Sequence, residues 1–315
     1  MGLSTVFSSF LASLPGTVLQ GVIWGVMAIG VYITYRVLDV ADLTVDGTLA
    51  TGGSVLVMCT IGGMNIYLAM VLAFIAGCVA GLATGILHTS FGIPAILSGI
   101  LTQLALYSVN MHILGKANQA LSVDKYFLLI SLRDINESGT IFNKSYIAGF
   151  VISVLLIAVL YWFFGTELGH SIRATGCNRA MAKANGINTN MNTIIGLVLS
   201  NGIVALSGAM LAQYQGHADV KMGSGAIVIG LAAVIIGDVL FGKIFKNFAL
   251  RLLATIIGGI IYYVVITFVI SLGLSTDDMK LLSAIVVALF LGIPYWKNKI
   301  AAKRVKITDG GAANA

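Results

Sequence analysis

Long apolar runs separated by short polar breaks recur along all 315 residues. They lie near residues 15–35, 46–63, 66–88, 91–114, 146–165, 192–214, 224–241, 249–271 and 279–296. Most approach the ~20 apolar residues a helix needs to cross a ~30 Å hydrocarbon core, and the runs are too long for the ten-residue alternation of a barrel. The pattern predicts an all-α integral membrane protein with about eight or nine transmembrane helices. The weakest run is 46–63. Gly47, Gly52, Gly53, Gly62 and Gly63 interrupt it together with Thr48 and Thr51, so it is expected to be a broken or partly re-entrant helix.

The breaks set the organisation. Two are too long for turns, 115–145 and 166–190, and a polar tail covers 297–315. The tail holds five Lys/Arg between Lys297 and Lys306, which places the C-terminus on the cytoplasmic side. Counting back puts twelve of the eighteen Lys/Arg inside, among them Arg36, Arg173, Arg179, Lys183, Lys243, Lys246 and Arg251. The N-terminus is then outside, and 115–145 is an extracytoplasmic loop carrying the sequons at Asn136 and Asn143. This asymmetry accounts for the net charge of +6, so the basic balance implies no nucleic-acid partner.

Composition agrees with the pattern: 58% of residues are hydrophobic and 10% charged, against roughly 25% charged in soluble domains. Cys59, Cys78 and Cys177 have no disulfide or zinc spacing, and no basic n-region of a cleavable leader opens the chain. "GDVLFGKI" (237–244) imitates the start of a phosphate loop, but Ile244 stands where a Ser/Thr would hold magnesium. No catalytic, metal or cofactor site is expected.

Two internal stretches echo each other. "ADLTVDGTLATGG" (41–53) resembles "ADVKMGSGAIVIG" (218–230), and the predicted topology starts them from opposite faces. That is the signature of an inverted repeat, 15–114 against 192–296, with 146–165 as a linking helix. Inverted repeats with broken helices suit a transport pathway. Polar residues in or beside apolar runs are its candidate lining: Asp46, Gly47, Gln103, Asn110, Gln213, Gln215 and Asp219. For each, hydrogen bonding between helices is the plainer alternative. Asp42, Asp46 and Asp219 sit at span ends and can also cap helices, and Asn201 joins the polar set. Gly21, Gly25 and the ladder Gly77, Gly81, Gly85 offer stripes for close helix packing, expected within one subunit.

The segment Gly165–Asn188, "GTELGHSIRATGCNRAMAKANGIN", is the other unusual feature. Thr166 can cap a first helix with Glu167 in its first turn, and Gly176 can stop it. Asn178 can cap a second, "RAMAKA", ended by Asn185-Gly186. Its Ala180, Ala182 and Ala184 are expected to form an exposed small-residue face that fits a groove on a partner protein.

The same segment resembles the cytoplasmic loop of permease subunits from bacterial ABC importers of the branched-chain amino acid type. The match runs through Glu167, Gly169, Arg173, Ala174, Gly176, Asn178, Ala182, Gly186 and Ile187. It extends to "YRVLDVADLTVDGTLATGG" and "LSGAMLAQYQGHADVKMGSGAIVIGLAAVIIGD", which are similar to a subgroup with tryptophan/tyrosine permeases. The resemblance implies a non-catalytic membrane subunit of an ATP-driven importer, working with a second permease copy in a homodimer, two cytoplasmic ATP-binding subunits and an extracytoplasmic solute-binding protein. It also implies a multi-pass location in the bacterial cell membrane, in contact with lipid. "NRAMAKAN" would be the coupling helix, bounded by Asn178 and Gly186 and steadied by Arg173. Relatives often carry Pro where this chain has Arg179, which leaves the helix start to the Asn178 cap. Branched-chain amino acids or another small solute are the alternative cargo, and an ion-coupled carrier or channel is the alternative class.

Overall fold

The computed structural model describes residues 3–134, 143–273, 281, 283–290 and 292. The Asn136 sequon, Lys280 and the basic tail 297–315 lie outside them, as does part of the last apolar run, of which 283–290 are helical. The elements are α1 (Leu3–Tyr32), extended by a π turn at Ile33–Val37, α2 (Val45–Ile61), α3 (Ile66–Thr89), α4 (Ala95–Leu114) and β1 (Asn118–Ala120). Then follow α5 (Lys144–Phe164), α6 (Glu167–Cys177), α7 (Arg179–Ala184), α8 (Thr189–Gln215), β2 (His217–Asp219), α9 (Ala226–Phe241) and α10 (Phe248–Ser271). The protein is an all-α membrane protein; its one sheet among the described residues is the antiparallel pair β1–β2, with Asn118 opposite Asp219.

Among the described residues, six helices are long and apolar enough to cross a membrane: α1, α3, α4, α5, α8 and α10. The helices α2 and α9, with 17 and 16 residues, reach only ~24–26 Å and fall short of a ~30 Å core. For α2 the expected break is absent: Val45–Ile61 is one continuous helix, and Gly47, Gly52 and Gly53 instead let it pack closely on Gln103, Ala205 and Met222. For α9 the apolar run 224–241 suggests a fuller span, but Gly225 takes a left-handed φ of 86°, so the helix can begin only after it.

α1 and α8 form the centre, and both are mostly buried along their spans. α3 lies along α8, and α10 lies along α1. α2 wedges against α8, α3 and α4, while α9 packs on α10 and α1. α5 lies at the rim of this group, with its main contacts on α1 and α10, and most of its surface faces outward.

Small residues make the close contacts possible. A Cβ on Gly21 would lie 2.6 Å from the Ile260 Cα, and one on Gly25 2.8 Å from the Ile256 Cα, so α1 and α10 touch backbone to backbone. The Gly77, Gly81, Gly85 stripe does the same for α3 against α8, at Asn201, Leu197 and Ile194. Both stripes are thus used inside one subunit. Where van der Waals contact alone joins apolar helices, hydroxyls add direction: Ser200 Oγ donates to the Gly30 carbonyl and Ser207 Oγ to the Ile23 carbonyl, each at 2.8 Å.

Candidate translocation core and coupling face

The end of the bundle that holds α6 and α7 is built from local signals. Thr166 Oγ1 accepts from the Gly169 N–H at 3.3 Å, with Glu167 in the first turn of α6. Asn178 Oδ1 accepts from the Met181 N–H at 2.9 Å, and Asn188 Oδ1 from the Met191 N–H at 3.1 Å. α7 ends in a Schellman turn: Gly186, at φ 79°, donates to the Lys183 carbonyl and Ile187 to the Ala182 carbonyl, both at 3.1 Å. Arg179 Nη2 donates to Asn190 Oδ1 at 3.0 Å, bracing the helix that starts without proline.

Two expectations about this stretch change, for Gly176 and Ala182. Gly176 does not stop α6 but lies in its last turn, one residue before Cys177, and its missing side chain is needed because a Cβ would collide with the Val37 carbonyl. Asn178, in extended backbone at φ −157°, stops α6 and caps α7 at once. Ala182 is not part of an exposed face. It is 0% exposed, turned inward, because a six-residue helix lying on the start of α8 must cover one side. The outward surface is Arg179, Ala180, Met181, Lys183 and Ala184, with Met181 51% exposed.

α6 is held firmly behind this surface. Gly169 fits against the backbone of Phe163 and Phe164. Asn192 Nδ2 donates to Ser171 Oγ at 2.6 Å and to Thr175 Oγ1 at 3.0 Å, tying α6 to α8. The Arg173 guanidinium sits over the Phe248 ring, 4.3 Å from its centroid, and 5.4 Å from that of Phe164. α6 is thus joined to both α8 and α10 by side-chain contacts.

The second site is in the interior, where the starts of the two short helices meet. Asp46, in the first turn of α2, accepts from the Gly225 N–H at 2.9 Å and the Ile227 N–H at 3.0 Å. It thereby caps α9 from another part of the chain. Each helix start presents roughly half a positive charge, and one carboxylate lies against both. Gly223 leaves room for this approach, since a Cβ there would strike the Asp46 carbonyl.

Beside Asp46 lies a buried polar chain. Asp42 is 2% exposed; its Oδ1 accepts from the Thr44 N–H at 2.9 Å and its Oδ2 from Asn201 Nδ2 at 2.7 Å. Thr48 Oγ1 donates to Asn201 Oδ1 at 2.7 Å. Thr44 and Thr84 share a 2.7 Å hydroxyl bond, and Thr84 donates to Thr102 at 2.9 Å. The chain runs across α2, α3, α4 and α8, so the break before α2 is stitched to three spanning helices.

Of the sequence candidates, the structure gathers Asp46, Gly47, Gln103 and Asn110 at this junction. Asn110 Nδ2 donates to the Gly47 carbonyl at 3.4 Å, and a Cβ on Gly47 would lie 3.1 Å from the Gln103 Cα. Asn110 Oδ1 is buried and without a hydrogen-bond partner, a cost that polar interiors avoid unless the group serves something else. Gln213, Gln215 and Asp219 are elsewhere, at the β1–β2 end. Gln213 Oε1 accepts from the Leu129 N–H at 3.1 Å, Gln215 is exposed, and Asp219 Oδ1 accepts from the Lys221 N–H at 2.7 Å. Sequence alone places Asp42 at a helix start and Asn201 in an apolar run, but does not bring them together. Thr44, Thr84 and Thr102 carry no sequence signal at all.

Comparison with known proteins bears on the same segments. The family profile described as branched-chain amino acid transport system / permease component matches residues 13–294. A tyrosine transport system permease protein of Clostridioides difficile is 40% identical over 272 residues, covering 86% of this chain and 88% of that protein. An uncharacterized protein of Rickettsia prowazekii is 32% identical over 274 residues, covering 86% and 94%. An autoinducer 2 import system permease protein of Yersinia pseudotuberculosis is 31% identical over 180 residues, covering 56% and 48%.

Proposed function

The chain belongs to the permease-component family of branched-chain amino acid transport systems, and on that premise we propose that it is the membrane subunit of an ATP-driven importer of tyrosine or tryptophan. The observation that carries the cargo is the 40% identity to a tyrosine transport permease across most of both chains. Chemistry on this chain is limited to forming the path; ATP hydrolysis is assigned to two partner subunits and first capture of solute to a binding protein.

Geometry supports a division of labour. α7, with Met181 outward between Arg179 and Lys183, is the surface on which an ATP-binding subunit docks. The path runs past the junction of α2 and α9, where Asp46, Gly47, Gln103 and Asn110 lie, with Asn110 Oδ1 as a free acceptor for a passing ammonium group. Gln213, Gln215 and Asp219 then belong to its mouth. The orientation follows from the basic excess at the α6–α7 end: N-terminus outside, C-terminus cytoplasmic. A second identical copy completes the channel.

The membrane region reads as two inverted halves, 15–114 and 192–296. Supporting this, the residue offset that aligns Ala41 with Ala218 also aligns Ile23 with Ser200 and Gly30 with Ser207, which are the two ends of the two α1–α8 hydroxyl bonds. It aligns Thr44 with Lys221, whose N–H groups each bond the Asp two residues earlier. It also aligns Asp46 with Gly223, and those two residues touch. A two-fold relation predicts all three coincidences.

The test is reconstitution in liposomes with the cognate ATP-binding subunits and binding protein. Labelled tyrosine should accumulate only with ATP and all partners present, and Met181→Asp should abolish co-purification of the ATP-binding subunit while membrane insertion continues. Uptake of leucine but not of tyrosine or tryptophan would overturn the cargo. Uptake by this chain alone, driven by an ion gradient, would overturn the importer reading itself.

A further inference from the structure

At the α6–α7 end, between the end of α1, α6 and the start of α10, a cavity of about 400 Å³ is lined by Arg36, Arg173, Lys246 and Arg251, together with Tyr32 and Phe248. Four cations meet there. One of them is offset: Arg36 Nε pairs with Asp238 Oδ2 at 3.4 Å. Among the described residues, Arg173, Lys246 and Arg251 have no carboxylate within salt-bridge distance. Arg251 Nε donates to the Phe245 carbonyl at 3.4 Å, and its guanidinium also hydrogen-bonds the Tyr32 hydroxyl. Arg173 Nε is buried without a hydrogen-bond partner, while the flat of its guanidinium rests on Phe248. A stacked guanidinium keeps its in-plane N–H edge for an anion, the geometry that suits phosphate oxygens. Cations lining one cavity with a single carboxylate among their partners give it a positive potential that favours an anion.

A neighbouring cavity of about 530 Å³ shares Arg173, Lys246 and Phe248 with the first and extends to Tyr161, Trp162 and His170. Trp162 and Tyr161 are 72% and 50% exposed at the end of α5, where aromatic side chains mark the depth of lipid headgroups. One to two turns further along the same helix, Val154 and Leu155 are 61% and 62% exposed, an apolar surface at the depth of acyl chains. Headgroup-depth cations and chain-depth aliphatics thus adjoin on one wall. We infer that this pair of cavities is a binding site for the phosphate of an anionic phospholipid, whose chains lie along α5. Basic pockets between membrane helices are suited to such headgroups. With Arg173 on α6 and Lys246 and Arg251 at the start of α10, the lipid would brace α6 against the bundle from behind α7.

Native mass spectrometry of the full chain, released from detergent with phosphatidylglycerol or chain-matched phosphatidylcholine, tests this. Phosphatidylglycerol adducts should persist where phosphatidylcholine adducts do not. Lys246→Ala should weaken the anionic adduct about fivefold, and Lys246→Ala with Arg251→Gln about twenty-five-fold, since each cation near a headgroup contributes about one such factor. Lys116→Ala, at the opposite end, should change nothing. If the double variant does not fold, Lys246→Glu decides alone, because that side chain is exposed. Equal retention of the two lipids, or an unchanged adduct in Lys246→Glu, would overturn the site. Inorganic phosphate binding with the same dependence on Lys246, in the absence of lipid, would overturn the assignment to a lipid. None of these outcomes depends on what the protein transports.

Discussion

The two short helices, α2 and α9, start from matching sequence and end in different company. Each follows an Ala-Asp pair whose carboxylate accepts the N–H two residues on, at 2.9 Å for Asp42 and 2.7 Å for Asp219. Beyond that the two diverge. Asp42 is sunk in the interior and bonded to Asn201, while Asp219 is half-exposed at the β1–β2 end. Where α2 carries Asp46, the aligned residue before α9 is Gly223. The difference shows how one carboxylate can serve two helix starts: the two positions touch, and a second charge there would meet the first.

The sharpest way to break that relation is Gly223→Asp. Its Cβ would drive into the Asp46 backbone and set two carboxylates side by side, so a loss above ~3 kcal/mol is expected, read as failure to purify a monodisperse protein. Asn201→Leu comes next. It strips one partner each from Asp42 and Thr48, costing ~2–3 kcal/mol, which thermal unfolding in detergent should register as a clear drop in Tm. Asp46→Ala removes the cap of α9 and should cost ~2 kcal/mol. Amide exchange should then rise at Gly225 and Ile227, and unchanged protection there would refute the capping role. The smallest effect is Asp219→Ala: on a half-exposed turn it should cost under ~0.5 kcal/mol, and a loss matching that of Asp46→Ala would erase the contrast between the copies.

Legibility in the sequence followed the range of the interactions. The caps at Thr166, Asn178 and Gly186 involve partners within five residues, and all are readable as spacing. The glycine stripes announce close packing, but not which helix they meet. Ala182 shows how much the helical period already says: residues two apart point to opposite sides, so Ala180 and Ala184 share a face that Ala182 cannot, and packing decides only that the Ala182 side is the covered one. Asp46 shows the limit in the interior. Its position in the first turn of α2 suggests a local cap, whereas its bonds go to residues about 180 positions away.

By itself, then, the sequence determined the all-α membrane class, most of the spanning segments and the capped pair at 166–188, because hydrocarbon thickness and unpaired backbone groups constrain residues locally. Tertiary structure alone decided which carboxylate meets which helix start, that Asp42, Thr48 and Asn201 form one buried chain, and that Arg173, Lys246 and Arg251 converge on one cavity. In a chain this apolar a polar side chain must find a partner, but only packing decides where that partner is.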